Sequence, residues 1–363
     1  MKISYLPLRE LNARFFHLDQ QSFTAVSDSG QYIGGKYVER FEQQFGNYCG
    51  VDKVVSTGNG LDALTLILLA EKELGNLPPN AKVLVPAHTY IATFLSIVHA
   101  GMQPVPVDVN NLVLSVKDLK SQIAKVDAVI AVDLYGKLVG DEVYAFAKAE
   151  QKPIYCDSAQ SHGAISSSGN RSGSIARASA FSFYPTKNLG ALGDGGAITT
   201  KDHLLAAMAR KLANYGRDNR FLNSAKGVNS RLDPLQAAFL SNRLAQLDSD
   251  NNKRLLVAQF YYHHFKNDHV TLADREFLNH NAWHVFPVFV ADREHFQNYM
   301  LENGIETNVH YPVPPHQQEA FKELNDLNFP QAERLHRTEV SLPCHPLMSL
   351  TEMEYVVKVV NNY

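Results

Sequence analysis

At 363 residues the chain is longer than one hydrophobic core usually fills, so a large domain with a smaller companion is expected. Apolar residues make up 45% and charged residues 20%, as in ordinary globular proteins, and a formal net charge of −3 speaks against nucleic acid or an anionic membrane as the main partner. No apolar run is long enough to span a bilayer, Met1–Glu10 has no signal-peptide core, and Cys49, Cys156 and Cys344 are odd in number and far apart. These features predict a cytoplasmic protein with reduced thiols, no disulfide framework and no metal site.

From residue 50 to 200 short apolar strands alternate with helical patterns. Strands are predicted at Lys53–Ser56, Lys82–Val85, Pro104–Val107, Ala128–Val132, Pro153–Cys156, Ala180–Phe183 and Ala197–Thr199. Helices are predicted at Gly60–Leu74, Ile91–Ala100, Val116–Ala124 and Glu142–Ala149. Such alternation predicts an α/β fold with a largely parallel sheet, whose ligands gather at the carboxyl ends of the strands. Asp233-Pro-Leu-Gln236 reads as a helix start with a capping box. The helices that follow lead into a second α/β unit. That unit has a strand at Val285–Val290, a helix from Arg293 capped by Asp292, a strand near Thr307–Val309 and a closing helix capped by Ser349. The expected division is 1–247 for the large domain and 248–363 for the small one.

Four segments carry chemistry. In Ser182-Phe-Tyr-Pro-Thr-Lys187-Asn-Leu-Gly-Ala-Leu-Gly-Asp-Gly-Gly196 a strand runs into a hydroxyl, a lysine and a glycine-rich turn. Alone, such a lysine is usually solvated. Tyr155-Cys-Asp157-Ser-Ala-Gln160 puts a carboxylate at the end of a buried strand, where a pyridoxal phosphate ring needs one to keep its nitrogen protonated. The plainer reading of Asp157 is a helix cap. Gln160 is within reach of the phenolic oxygen of such a ring. Ser56-Thr-Gly58-Asn-Gly60-Leu61 is a strand, a small-residue turn and a helix start, which suits a phosphate. Gly58-Asn-Gly60-Leu-Asp-Ala63 also mimics a dinucleotide fingerprint and opens a rival reading as a nicotinamide-dependent sugar oxidoreductase. The next strand, however, ends in Pro86-Ala-His88 with no acidic residue for a ribose. Tyr90 stands at that strand's end as a flat ring able to stack on a cofactor, or as a core tyrosine.

Taken in order, these segments resemble the sugar aminotransferases of the DegT/DnrJ/EryC1/StrS family. The resemblance extends from Tyr32-Ile-Gly-Gly35 and Val38-Glu-Arg-Phe41 through Leu134-Tyr-Gly136 and Asp157–Ala164 to Gly227-Val-Asn229-Ser-Arg231 and His310-Tyr-Pro-Val-Pro-Pro-His316. It implies pyridoxal phosphate as cofactor and the fold-type-I architecture, a large mixed, mostly parallel sheet domain with a smaller C-terminal α/β domain. It implies that Lys187 is the Schiff-base lysine and shuttles protons, Asp157 pairs with the pyridine nitrogen and Gln160 meets the phenolic oxygen. Tyr90 would stack on the ring, while the Gly60 and Leu61 amides and the Ser182 hydroxyl hold the phosphate. Asn229 would reach the phosphate from a neighbouring subunit, so a homodimer with shared sites is implied. Tyr184, Arg220 and His310 would line the sugar side, with Tyr184 close to the chemistry.

Within the family, Thr89-Tyr-Ile-Ala-Thr93, the Lys187 segment and Asn308-Val-His-Tyr-Pro312 look most similar to enzymes that aminate C3 of dTDP-3-keto-6-deoxyhexoses, with C4 amination as the alternative. L-glutamate is the implied amino donor, and the products of such enzymes feed surface polysaccharides or glycosylated natural products. Three positions depart from the pattern: His88, Arg217-Asp218 after Tyr215-Gly216, and Arg177. The first two are expected to face the cleft.

Overall fold

The computed structural model describes residues 1–363. Its large sheet contains β1 (Lys53–Thr57), β2 (Lys82–Pro86), β3 (Gln103–Val107), β4 (Ala128–Val132), β5 (Ile154–Asp157), β6 (Ala178–Ser182) and β7 (Gly196–Thr200). Their order across the sheet is β1-β7-β6-β5-β4-β2-β3. Every pair from β6 to β3 is parallel, and β7 alone runs backwards, antiparallel to both β6 and β1. All five residues of β4 are buried, as befits a strand covered on both faces. The helix Gly60–Glu73 is buried almost all round, Ala63, Leu64, Leu66, Ile67 and Leu68 included.

That helix also buries Glu71, which lies 2.5 Å from Arg177 Nε; Arg177 reaches Asp202 at 3.0 Å as well. The departure at Arg177 is therefore structural, because the guanidinium neutralises a carboxylate that water cannot reach.

The smaller sheet has three antiparallel strands, β8 (Val270–Leu272), β9 (Phe286–Val290) and β10 (Glu339–Leu342), in the order β10-β9-β8. The helix Arg293–Glu302 is capped by Asp292, which accepts from the His295 amide, and Leu350–Asn361 starts in a Ser349–Glu352 capping box. Two expectations fail. No strand forms at Thr307–Val309, where only Asn308 bridges to Ser341. Helix Pro234–Leu244 starts as read, but Asp233 makes no side-chain cap, and Gln236 accepts from the Leu192 amide at 2.8 Å instead of closing a box. Three helices before β1 (Leu8–Ala13, Phe16–Ser29 and Lys36–Cys49) were not anticipated.

No helix is long and apolar enough to cross a membrane.

Candidate active site

Apart from β7, the strands of the large sheet point the same way, so Thr57, Pro86, Asp157 and Ser182 end on one edge. Register then brings two loops together. Gly196 pairs with Ser182 on one side and with Thr57 on the other. A Cβ on Gly196 would overlap the Asn59 carbonyl, and one on Gly60 would stand 2.7 Å from Ser182 Cβ. Only glycine lets the helix start close this tightly on β6. The Asn59 side chain caps the Asp62 amide at 2.8 Å, which leaves the Gly60 and Leu61 amides for an outside acceptor. The free amides, the dipole end and the Ser182 hydroxyl form a cradle that fits a phosphate.

Beside the cradle stand Lys187 and Asp157. Protein crowds the half-buried Lys187, and burial lowers its ammonium to about 8, against the pull of Asp157. Burial raises Asp157, while Thr93, the Ala159 amide and Lys187 hold it down. Thr93 Oγ1 donates to Asp157 at 2.9 Å, so its contact with Thr89 Oγ1 at 2.7 Å must be received from Thr89. The carboxylate sits at the end of a two-hydroxyl chain that favours its ionised form.

His284, which the sequence analysis did not single out, faces the lysine with Nε2 3.5 Å from Nζ. Asn188 donates through Nδ2 to Asn251 at 2.9 Å and to the Ala282 carbonyl at 2.7 Å, which turns its oxygen toward His284 Nδ1 at 3.3 Å. That oxygen requires a proton on Nδ1, so the Nε2 lone pair looks at Lys187. Burial and the cations around it lower His284 well below the usual histidine range, which keeps it neutral.

Gln160 is buried and already engaged. Its Oε1 accepts from the Tyr135 amide at 2.6 Å and its Nε2 donates to the Tyr311 hydroxyl at 2.8 Å, leaving one amide hydrogen for a ligand. Tyr135 holds φ 61°, an uncomfortable value for a bulky residue. Its hydroxyl lies 2.7 Å from the His310 carbonyl and 3.1 Å from His88 Nε2, so the strained residue is tied at both ends. His88 is buried and bonds the Leu112 carbonyl through Nδ1 at 3.1 Å; it supports the wall from behind and does not face the cleft as expected. Tyr90 is 48% exposed, with its ring centroid 4.6 Å from that of Tyr311. Tyr184 is exposed as well and lies in the tight turn where the Lys187 amide donates to its carbonyl at 2.8 Å.

The chain does not bring Asn229 and Arg220 to this set. Both are exposed on the arm 214–229, whose ladder contacts are Asn214 with Asn229 and Arg217 with Asn223. Phe221 is 83% exposed there, with the Arg220 guanidinium 5.6 Å from its ring. Arg217-Asp218 also belongs to the arm, where Asp218 pairs with Lys211 at 2.6 Å, so within one chain this departure faces solvent and not the cleft. Ser230 ties the base of the arm to the cradle by accepting from the Gly58 amide at 2.9 Å and donating to Asp62 at 2.7 Å.

The profile of the DegT/DnrJ/EryC1/StrS aminotransferase family matches residues 17–361. The chain belongs to that family. It is a pyridoxal-phosphate-dependent sugar aminotransferase, which sets the nicotinamide reading aside. The chain is 44% identical to the dTDP-3-amino-3,6-dideoxy-alpha-D-galactopyranose transaminase of Aneurinibacillus thermoaerophilus, over 99% of each chain. It is 32% identical to the UDP-2-acetamido-2-deoxy-3-oxo-D-glucuronate aminotransferase of Pseudomonas aeruginosa, over 99% of this chain and 100% of the other. The crystal structure of Streptomyces venezuelae DesV in complex with a ketimine intermediate superposes with a TM-score of 0.93 at 35% identity, covering 99% of this chain and 98% of that one. The phosphate cradle, the buried carboxylate and an amine of lowered basicity suit the cofactor that this family uses.

Proposed function

We propose that the chain transfers an amino group from L-glutamate to C3 of a dTDP-3-keto-6-deoxyhexose, giving a dTDP-3-amino-3,6-dideoxyhexose for surface polysaccharide. The observation that carries the sugar and position is the 44% identity, without large gaps in coverage, to a transaminase named for that class of product. Bound pyridoxal phosphate supplies a carbonyl that takes up an amine and a protonated ring that withdraws electrons.

The residues divide the work. The Gly60 and Leu61 amides and Ser182 hold the phosphate, and Tyr90 covers the ring with its open face. Asp157 keeps a negative charge at the ring nitrogen, and the Thr89–Thr93 chain keeps Asp157 ionised. Lys187 would anchor the cofactor, and its amine would be the group that takes and gives the proton. An amine lowered to about 8 is partly neutral and partly charged near physiological pH and so serves as acceptor and as donor. The His284 lone pair receives a hydrogen of Lys187 and keeps its ammonium form in place. The remaining amide hydrogen of Gln160 meets the phenolic oxygen. Tyr184 and His310 line the sugar side.

Asn229 and Arg220 serve the site of a second copy, because both lie on the exposed arm with Phe221 and Leu222, apolar side chains that need cover. The working unit is thus a cytoplasmic homodimer with shared sites. In each copy, residues 1–247 form the large domain and 248–363 the small one.

The test is a panel of dTDP-linked 3-keto and 4-keto 6-deoxyhexoses offered with 15N-labelled L-glutamate. Label appearing at C3 is the expected result. Label at C4 replaces the position, and no label on any sugar of the panel removes the reading.

A further inference from the structure

The small-domain wall contains three linked side chains. Glu339 and Ser341 are two apart on β10 and so share a face of the strand. Glu339 is wholly buried; its Oε1 accepts from Ser341 Oγ at 2.5 Å and its Oε2 from the His310 amide at 2.6 Å. Ser341 Oγ lies 2.8 Å from His310 Nδ1. His310 in turn lines a cavity of about 200 Å³ with Tyr5, Thr186, His284 and Asn308, next to the lysine loop.

Proton counting sets the direction of these bonds. A carboxylate only accepts, and a serine hydroxyl has one hydrogen. Ser341 gives that hydrogen to Glu339 and must therefore receive one from His310 Nδ1. A neutral imidazole with its hydrogen on Nδ1 carries a lone pair on Nε2. Burial and the charge of Lys187 lower His310 to about 3, so the ring is neutral. Burial pushes Glu339 up to about 7, against Ser341, the His310 amide and Arg293; the other titratable neighbours, Tyr5, Tyr135 and Tyr311, are held protonated by burial. Above that value Glu339 is the acceptor that the count requires.

We propose that Glu339, acting through Ser341, is a positioning residue that fixes His310 in its Nδ1–H form, so that the site offers an unprotonated Nε2 to a hydroxyl of the sugar. The ligand half of this inference rests on the sugar reading given above; the tautomer half does not. A ring with a hydroxyl at that point gains a bond. A ring deoxygenated there leaves a buried acceptor unpaired and is bound roughly tenfold more weakly.

The experiment uses the full-length, cofactor-loaded protein with 15N-labelled histidine, observed by long-range 1H–15N NMR at pH 8, with His310 assigned through its loss in His310→Gln. Wild type shows Nδ1–H. In Glu339→Gln the amide NH₂ takes the place of Oε1 and donates to Ser341, whose hydroxyl then donates to Nδ1, so His310 moves its hydrogen to Nε2. Ser341→Thr keeps the wild-type form. For the keto sugar, KM in Glu339→Gln rises roughly tenfold while kcat stays within about twofold. An Nε2–H ring in wild type, or no change in Glu339→Gln, overturns the proposal whether or not the chain aminates sugars. A shifted hydrogen with unchanged KM overturns the sugar contact. Should Glu339→Gln not fold, Ser341→Ala replaces it: removal of the acceptor must abolish the Nδ1–H preference, and a preserved preference overturns the link. The expected tautomers in a protein that aminates no keto sugar retire the sugar substrate and leave the Glu339 link standing.

Discussion

The floor of the site and its wall are built differently. On the floor, Asp157 and Ser182 end strands, Lys187 lies in the loop after one and the Gly60 turn opens the helix after another, and backbone register brings them together. The wall depends on side chains that meet across long stretches of sequence: Gln160 with Tyr135 and Tyr311, Asn188 with His284, Glu339 and Ser341 with His310. A floor of this kind is fixed by short motifs and, on the proposed reading, carries the chemistry. A wall of this kind is fixed by polar networks and carries orientation.

The contrast can be broken at several points. Lys187→Ala is expected to take turnover to background while circular dichroism and thermal unfolding stay near wild type; substantial remaining turnover would remove Lys187 from the chemistry. Asp157→Asn is expected to cost roughly two to three orders of magnitude in kcat, the range for loss of a positioned electrostatic partner. A mild effect would make Asp157 a strand-end cap. For the arm, Lys187→Ala and Asn229→Ala proteins, each poorly active, are mixed and allowed to exchange subunits. Recovery of about a quarter of wild-type activity is expected from the one intact site in a mixed dimer, and no recovery would place Asn229 in its own chain's site.

A smaller effect concerns pH. Lys187 has its ammonium lowered to about 8 from the usual lysine value, so between the two values the unfolded chain binds more protons than the folded one. For cofactor-free protein, stability from this group rises with pH across that window, and capture of pyridoxal phosphate, which needs the neutral amine, accelerates as pH passes about 8. Stopped-flow absorbance checks the second point, and a flat profile from pH 7 to 9 would contradict it. The smallest effect is on the wall. Tyr135→Phe removes the hydroxyl shared by the His310 carbonyl and His88, with an expected loss of about 1–3 kcal/mol in urea unfolding. An unchanged midpoint would mean that other groups or water satisfy both.

The floor was legible in the sequence for the reason that it is local. Apolar strands of four or five residues ending in Asp157 or Ser182 announce their own carboxyl ends, and the observed bounds differ by a residue or two. The reversed direction of β7 was not legible, since nothing in Gly196–Thr200 encodes its pairing partners. Phe16–Ser29 escaped because only Val26 is buried in it, while Phe16 and Phe23 lie exposed, so no clean apolar stripe marks it. β10 escaped because a buried glutamate and a buried serine occupy positions where a strand signal expects apolar residues. Those two residues form the Glu339–Ser341–His310 link, so the signal failed where polar side chains hold the wall. His284 gave one weak sign, a histidine directly before a buried strand, whose meaning depends on Asn188 nearly a hundred residues away.

The pairing of Ser182 with Gly196 turns residues 183–195 into a closed loop, drawn tighter by bonds of 2.7 Å from the Phe183 amide to the Gly195 carbonyl and 2.8 Å from the Ala191 amide to the Phe183 carbonyl. Lys187 is therefore suspended from a small ring whose two ends are stitched into the sheet. The volume its amine can explore is small before any cofactor arrives, and its effective concentration at the phosphate cradle is correspondingly high. A molecule held by its phosphate in the proposed cradle would meet that amine at a high effective concentration.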